Sequence, residues 1–468
     1  MKDRKISRMA AVLKPEERQH FLRWLSAELD SGHAYLRALA EVMLEAANPD
    51  DATCWQRLYP DQPYDDARLR KLAAELTGYL ETYIALEAFR EDARARDLYL
   101  ARALSTRRAS ALTELALRKA SRRLERQPHR DSEYLRMAFE LARIRYQEAV
   151  ATQKGPVSLL LQETMTAFGH WWSYEIATLA LVRVNHARLH RQQPGDPFMT
   201  QALAWIEDRK PDDRQPLLFA ALRLIRLLGG DTPADDSLVE QIKNLRPMMQ
   251  EETFRYWITT LLNHLLRQHN LQPDPLLLRT QLLPFYRWAI EEQAVWSDGF
   301  LPPNHLKNIV GLSLQAGEIQ EALRYLDNLV SLLPPVQREA TEVILRAYCY
   351  FSGGSFRTVI SLLSGRQFGR INDEIEARVY LLQAHYELNP TDADWLYDQL
   401  GQFIRFLRAR TDLSDSRKRI FVGRMQLFRR LVAARTPRAL ARLARDVNAR
   451  RDPYPWLMTK LAARTAGA

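Results

Sequence analysis

Large apolar residues recur along this chain at intervals of three and four positions, over segments far longer than a β-strand. In the segment 67–89 these residues are Leu69, Leu72, Leu76, Leu80, Tyr83 and Leu86. This spacing brings the side chains to one face of an α-helix. No segment shows the strict apolar–polar alternation between hairpin turns that predicts a strand. Glycine, which disfavours helix most after proline, occurs only 17 times in 468 residues. We therefore predict an all-α protein.

A second pattern lies in the segment 314–334, LQAGEIQEALRYLDNLVSLLP. Its marker residues are Gly317, Ala322, Leu326, Leu329 and Pro334. Their spacing is similar to that of the second helix of a tetratricopeptide repeat (TPR). The physical reasons are local: glycine allows a tight turn, alanine lets two helices approach closely, and proline ends the helix.

Weaker versions of this pattern follow at the spacing of a helix–turn–helix repeat. One begins 37 residues later at Gly354, with Phe356, Val359 and Leu363, and another begins 35 residues after that at Asn389-Pro390. Repeats of this kind stack side by side and bury a continuous core. The alternative, helical hairpins without true TPR geometry, stays open on the sequence alone.

A wider resemblance covers most of the chain. The segments that carry it include AVLKPEERQHFLRWL, LYPDQPYDDARLRKLAAEL, NHLKNIVGLSLQAGEIQEAL, YFSGGSFRTVISLLSGRQF, EARVYLLQAHYEL, FIRFLRARTDLS and PWLMTKL. In these segments the chain resembles an uncharacterised family of helical, TPR-like proteins of Bacteroidota bacteria. The resemblance implies a TPR-like architecture and carries no activity and no functional residues with it.

These patterns predict a superhelical array of helical hairpins with four parts. We expect an N-terminal helical domain over residues 1–95 and a helical-hairpin array over 96–300. TPR-like repeats are predicted for 301–410, and basic helices that cap the array for 411–468. Capping helices with a polar outer face are what such arrays need at their ends.

The positive charge of the chain is concentrated at its C-terminal end. Residues 403–468 contain 17 basic and 4 acidic residues, a balance of +13, which leaves −3 for residues 1–402 of the net +10. The simpler interpretation is that these basic residues form a solvated outer face on the capping helices. The functional alternative is an electrostatic surface for nucleic acid or an acidic partner. Six residues are candidates for that surface: Arg417, Lys418, Arg419, Arg438, Arg442 and Arg445.

No sequence motif specific enough to predict an enzyme is found. The chain has no GxxxxGK[ST] phosphate loop, no G-x-S-x-G elbow and no CxxC pair. The pairs Gly229-Gly230 and Gly353-Gly354 are interpreted as turns between helices. We therefore predict a non-enzymatic protein without a cofactor or a metal site.

The leading hypothesis is a repeat scaffold that binds another protein on the face formed by the first helices of its hairpins. Six residues between 300 and 410 are candidates for that face: Asn304, Asn308, Arg346, Tyr350, Arg378 and Gln383. The runner-up is a nucleic-acid-associated or regulatory protein that uses the basic C-terminal helices.

The two cysteines, Cys54 and Cys349, are far apart in sequence and have neither disulfide-framework nor metal-site spacing. The N-terminal segment has an apolar run of only five residues, and no run approaches the length of a membrane span. These features predict a cytoplasmic protein without a membrane segment.

Overall fold

The computed structural model describes residues 5–29, 33–45, 49–153, 155–190, 196–209, 215–230, 236–388, 393–448 and 454–466. Helix accounts for 84% of these described residues, and no β-strand occurs among them. One isolated antiparallel bridge joins Ser297 and Phe300 in a turn. The all-α prediction is confirmed. The repeat marker at Asn389-Pro390 lies outside the described residues.

The α-helices, in chain order, are α1 (Lys5–Val12), α2 (Pro15–Glu28), α3 (Ala34–Glu45), α4 (Asp51–Leu58), α5 (Asp66–Glu91), α6 (Ala93–Thr106), α7 (Ser110–Glu125), α8 (Ser132–Thr152), α9 (Val157–His190), α10 (Pro197–Asp208), α11 (Pro216–Gly229), α12 (Asp236–Leu245), α13 (Glu251–Leu271), α14 (Pro275–Leu277), α15 (Leu283–Glu291), α16 (Pro303–Gln315), α17 (Ile319–Leu329), α18 (Pro335–Ser352), α19 (Phe356–Leu363), α20 (Ile371–Leu388), α21 (Ala393–Ala409), α22 (Asp415–Ala433), α23 (Pro437–Asn448) and α24 (Pro455–Ala466). A π-helical segment, Leu278–Leu282, joins α14 to α15. Short 3-10 segments occupy Arg246–Met248 and Val330–Leu332.

Helix starts follow the capping signals of the sequence. The carboxylates of Asp65 and Asp131 accept hydrogen bonds from the backbone N–H groups of Arg68 and Tyr134, at 3.0 and 3.1 Å. Each bond satisfies a donor that the first turn of a helix would leave unpaired. Proline occupies the first position of α2, α16 and α18, where its missing N–H removes no helical hydrogen bond.

The chain forms two compact units. The first comprises residues 1–180, 195–221 and 247–249. Helices α1–α5 share one core, in which the rings of Phe21 and Tyr83 meet edge to face at 5.3 Å between centroids. Helices α6–α8 share another core. Each core is therefore built by helices that are close in sequence.

The second unit comprises residues 181–194, 222–246 and 250–468. From α16 onward, each helix packs on the next one along the chain. In addition, α16 contacts α18, and α18 contacts α20. One core cluster joins α18, α19 and α20, and another joins α20 to α24. The four-part division drawn from the sequence stays a prediction.

Gly317 and Gly354 lie in turns between successive helices, as the sequence predicts. Both have left-handed backbone, with φ of +80° and +76°. The N–H groups of the following residues, Glu318 and Ser355, bond the carbonyls five residues back at 2.8 and 2.9 Å. This is the Schellman pattern of helix ends, in which glycine avoids the steric cost of positive φ. The two turns therefore have the same geometry.

We expect Gly354→Ala to lower the free energy of unfolding by about 1 kcal/mol, because an L side chain is strained at positive φ. The matched control is Gly353→Ala. Gly353 has φ −83°, and its added Cβ would meet the carbonyl oxygen of Cys349 at an ordinary 3.5 Å. Urea unfolding of both variants measures the difference, and equal midpoints would contradict the strain argument.

Candidate binding groove

A groove in the second unit is lined mainly by α16, α18, α20 and α22, which alternate along the chain, with further residues from α24 and with Phe356 of α19. It consists of two adjoining cavities that share Glu376 and Phe421. We call the cavity of about 420 Å³ the polar end. The cavity of about 540 Å³ is the aromatic end. The polar end includes Asn304, Lys307, Gln337, Arg370, Asn372, Asp373 and Arg417. The aromatic end includes Tyr348, Phe351, Phe356, Val379, Tyr380, Gln383, Glu387, Tyr454, Trp456 and Lys460.

The polar end contains an ion cluster. The Nζ atom of Lys307 lies 3.2 Å from the Oδ1 atom of Asp373 and 2.8 Å from the Oε2 atom of Glu376. The Asp373 side chain is only 6% exposed, whereas that of Glu376 is 40% exposed. A carboxylate as buried as that of Asp373 requires a partner charge, and Lys307 supplies it across two helices.

Two arginines of the polar end have neutral partners instead. The Nη1 atom of Arg370 donates to Gln337 Oε1 at 2.8 Å, and that of Arg417 donates to Asn372 Oδ1 at 3.2 Å. Across the described ranges, neither guanidinium forms an ion pair with a carboxylate. Both side chains belong to exposed residues. Their charges are therefore available to an anionic group that enters the groove.

Aromatic rings form most of the aromatic end. Tyr348 and Tyr380 stack at 5.3 Å between centroids, and Phe351 lies 5.9 Å from Tyr380. On the α24 side, Tyr454 and Trp456 are 5.9 Å apart. Burial raises the pKa of both the Tyr380 and the Tyr454 hydroxyl, so both stay protonated and neutral at neutral pH.

Several polar groups of the aromatic end are already engaged. Glu387 accepts from Trp456 Nε1 at 2.7 Å and from Lys460 Nζ at 2.6 Å. The Nε2 atom of Gln383 donates to the Tyr454 hydroxyl at 2.9 Å. Because these groups are paired within the protein, what this end offers to a ligand is mainly ring surface. Such a surface binds apolar side chains.

The six predicted partner-binding residues fall in several places. Asn304 and the buried Gln383 line the polar and aromatic ends, respectively. The Nδ2 atom of Asn308 donates to the Tyr286 hydroxyl at 2.9 Å, and this hydroxyl also lies 2.7 Å from Nδ1 of the buried His305. Burial lowers the pKa of His305 to about 4. Asn308 therefore belongs to a buried hydrogen-bond network.

Two other predicted residues line a separate hollow. Arg346 and Tyr350 share it with Glu321 and Arg324. Arg346 pairs there with Asp327 at 2.6 Å.

Arg378 has yet another environment. It pairs with Glu374 at 2.5 Å, and its guanidinium lies 4.3 Å from the centre of the Phe406 ring. Of the six predicted partner-binding residues, two thus line the groove.

The predicted basic surface divides between two helices. Arg417, Lys418 and Arg419 lie in the first turns of α22, and Arg417 also lines the polar end. Arg438, Arg442 and Arg445 are exposed on α23, whose buried residues are Leu440, Leu443 and Val447.

Apart from Gln383, the sequence analysis missed the residues of the aromatic end, in particular Tyr380, Glu387 and Trp456. One sequence pattern could have indicated part of this end. Tyr348 and Tyr380 each lie in the second half of a helix, α18 or α20, that is the first of a helical pair. The pairing of Glu387 with Trp456 spans 69 positions, and no local pattern indicates it.

No cluster of three or more His, Cys, Asp or Glu side chains that could hold a metal ion is found within the described residues. None of the helices in those ranges combines the length and the apolar character that a bilayer crossing requires.

Comparisons of the chain with protein-family models, with curated proteins and with solved structures find no match. The resemblance to the Bacteroidota family and to TPR proteins stays a prediction.

Proposed function

We propose that the protein is a non-enzymatic α-helical repeat scaffold whose groove binds an extended segment of another protein. One observation carries the proposal: α16, α18, α20 and α22 each contribute side chains to one continuous groove, although another helix follows each of them along the chain. In stacked helical hairpins, the first helix of each pair lines such a recessed binding face. The matched turns at Gly317 and Gly354 support the same arrangement. The proposal includes a cytoplasmic location.

Selection from a phage-displayed library of random peptides tests this function. We expect the immobilised protein to enrich peptides that no longer bind Val379→Arg, because the long charged side chain would occupy the aromatic end. Gln402→Arg is the matched control, since it adds the same charge at an exposed position of α21. Thermal unfolding checks that both variants fold. Enriched peptides that bind all three proteins equally would place the binding site outside the groove and contradict the proposal.

A second candidate function is nucleic-acid binding by α22 and α23. The Asp446 carboxylate pairs with Arg430 at 2.6 Å. The pKa of Asp446 is lowered by its hydrogen bond with Arg430 and, to a smaller extent, by the charges of Arg442 and Arg445. The charges of three arginines therefore act on one carboxylate, and the excess positive charge favours contact with phosphates.

If this surface binds RNA, replacing Arg438, Arg442 and Arg445 with glutamine should lower the slope of log affinity against log salt by about 2 to 3. Filter binding of a single-stranded oligonucleotide over a salt series measures it. The control replaces three exposed arginines of the first unit and changes the net charge equally: Arg107, Arg122 and Arg126. Equal slopes for the two triple variants would rule against this surface.

A further inference from the structure

We propose that the segment bound by the groove carries an acidic side chain at the polar end, next to large apolar side chains at the aromatic end. This inference rests on the proposed scaffold function and specifies the chemistry of its partner. The occupant is an extended peptide segment of another protein, acidic on one side of an apolar anchor.

The charges of the polar end are complementary to an acidic side chain. Lys307 is engaged by both carboxylates of this end, Asp373 and Glu376. The two arginines, Arg370 and Arg417, are held by the amide oxygens of Gln337 and Asn372. An amide oxygen orients a guanidinium without neutralising it, and a guanidinium retains further N–H groups for a carboxylate. An incoming Asp or Glu therefore finds positive charge that is already positioned.

The aromatic end is complementary to apolar side chains. The carboxylate of Glu387 already accepts from Trp456 and Lys460, and its side chain is only 12% exposed, so it offers little to an incoming polar group. The stacked rings of Tyr348 and Tyr380 offer a rigid apolar surface. Large side chains buried against such rings supply most of the binding energy in comparable interfaces.

The same charges argue against nucleic acid in this groove. A phosphate chain running along it would pass Asp373, Glu376 and Glu387, and each phosphate needs a cation for favourable binding. A peptide with one acidic position and apolar neighbours avoids this repulsion. The groove therefore fits a protein segment better than a polyanion.

Parallel selections from the random-peptide library test the inference, with the wild type and with Arg370→Glu/Arg417→Glu as targets. We expect wild-type selections to enrich Asp or Glu beside aromatic or aliphatic residues. The charge-reversed variant should enrich Lys or Arg beside the same apolar residues. For a wild-type-selected peptide, fluorescence polarisation should show about ten-fold weaker binding to Arg370→Gln/Arg417→Gln. Binding to Arg408→Gln, an exposed arginine of α21, should be unchanged.

The possible results separate the inference from the function on which it rests. The selection could enrich apolar peptides that carry no excess of Asp or Glu and that do not bind Val379→Arg. This result would overturn the inference of an acidic partner, but the proposed scaffold function would stand. Acidic peptides that bind the charge-reversed variant as tightly as the wild type would also overturn the inference, because the arginines would not be their contact. A wild type that enriches no peptide at all would count against both.

Discussion

Replacing Lys307 with methionine should lower the free energy of unfolding of the second unit by about 3 kcal/mol, because it leaves a buried carboxylate without its cation. Asp373 is the carboxylate concerned, and its side chain is 6% exposed. Methionine keeps most of the apolar stem of lysine, so the loss reports the missing charge more than missing packing. Glu376, which is far more exposed, retains water as a partner.

A second substitution isolates the cause. Lys307→Met/Asp373→Asn removes both charges, and we expect it to recover a large part of the lost stability. The control is Arg324→Met, which breaks an ion pair between Glu321 and an arginine side chain that is 66% exposed. Exposed pairs of this kind contribute at most about 1 kcal/mol. Urea unfolding followed by circular dichroism measures all three variants. A Lys307→Met variant no less stable than Arg324→Met would show that Asp373 does not depend on this cation.

The second large effect is a loss of stability in mild acid. Burial lowers the pKa of His305 to about 4, and burial with the charges of Arg188 and Arg267 lowers that of His264 to about 4. The ordinary value is 6.5. Between these values the unfolded chain binds more protons than the folded one, so stability falls as the pH falls. We expect each histidine to cost about 2 kcal/mol between pH 7 and pH 5.

Burial keeps both histidines neutral when folded, and for His264 the contact with Arg188 acts in the same direction. The Nδ1 atom of His305 lies 2.7 Å from the Tyr286 hydroxyl, and that of His264 lies 2.7 Å from Nη1 of Arg188. An arginine can only donate, so His264 must accept at that nitrogen. Protonation of His264 at Nδ1 would replace this acceptor by an N–H donor that faces the Arg188 cation.

Unfolding measured at pH 7 and pH 5 tests this account. His305→Gln should be less stable than the wild type at pH 7. Between pH 7 and pH 5, however, its free energy of unfolding should fall only about half as much as that of the wild type. His186→Gln is the control, because His186 is an exposed residue of the same unit. This substitution should leave the fall in stability between pH 7 and pH 5 unchanged. An unchanged pH dependence in His305→Gln would mean that the acid sensitivity arises elsewhere.

The helices themselves were predictable because their signals are local. The spacing of seven and four positions between Leu69, Leu76 and Leu80 brings them to one helix face, and all three side chains are buried in the structure. The turns at Gly317 and Gly354 were predictable for a similar reason: only a few neighbouring residues decide where a helix ends.

The candidate site was much less predictable, since its contacts join distant parts of the chain. The ion pair of Lys307 with Asp373 spans 66 positions, and that of Glu387 with Lys460 spans 73. Helical periodicity identifies Asn308 as a residue of α16, but it does not say which neighbour that face meets. In the structure the neighbour is the Tyr286 hydroxyl, so the amide is used inside the protein.

The sequence by itself thus determined the helical class of this protein, the positions of its glycine turns and the concentration of basic residues near its C-terminal end. The tertiary structure decided which charges are neutralised and which rings come together in the groove. The physical reason is the range of the forces involved. Backbone hydrogen bonding and helical periodicity act over one or two turns, whereas side-chain pairing depends on how helices from distant segments pack.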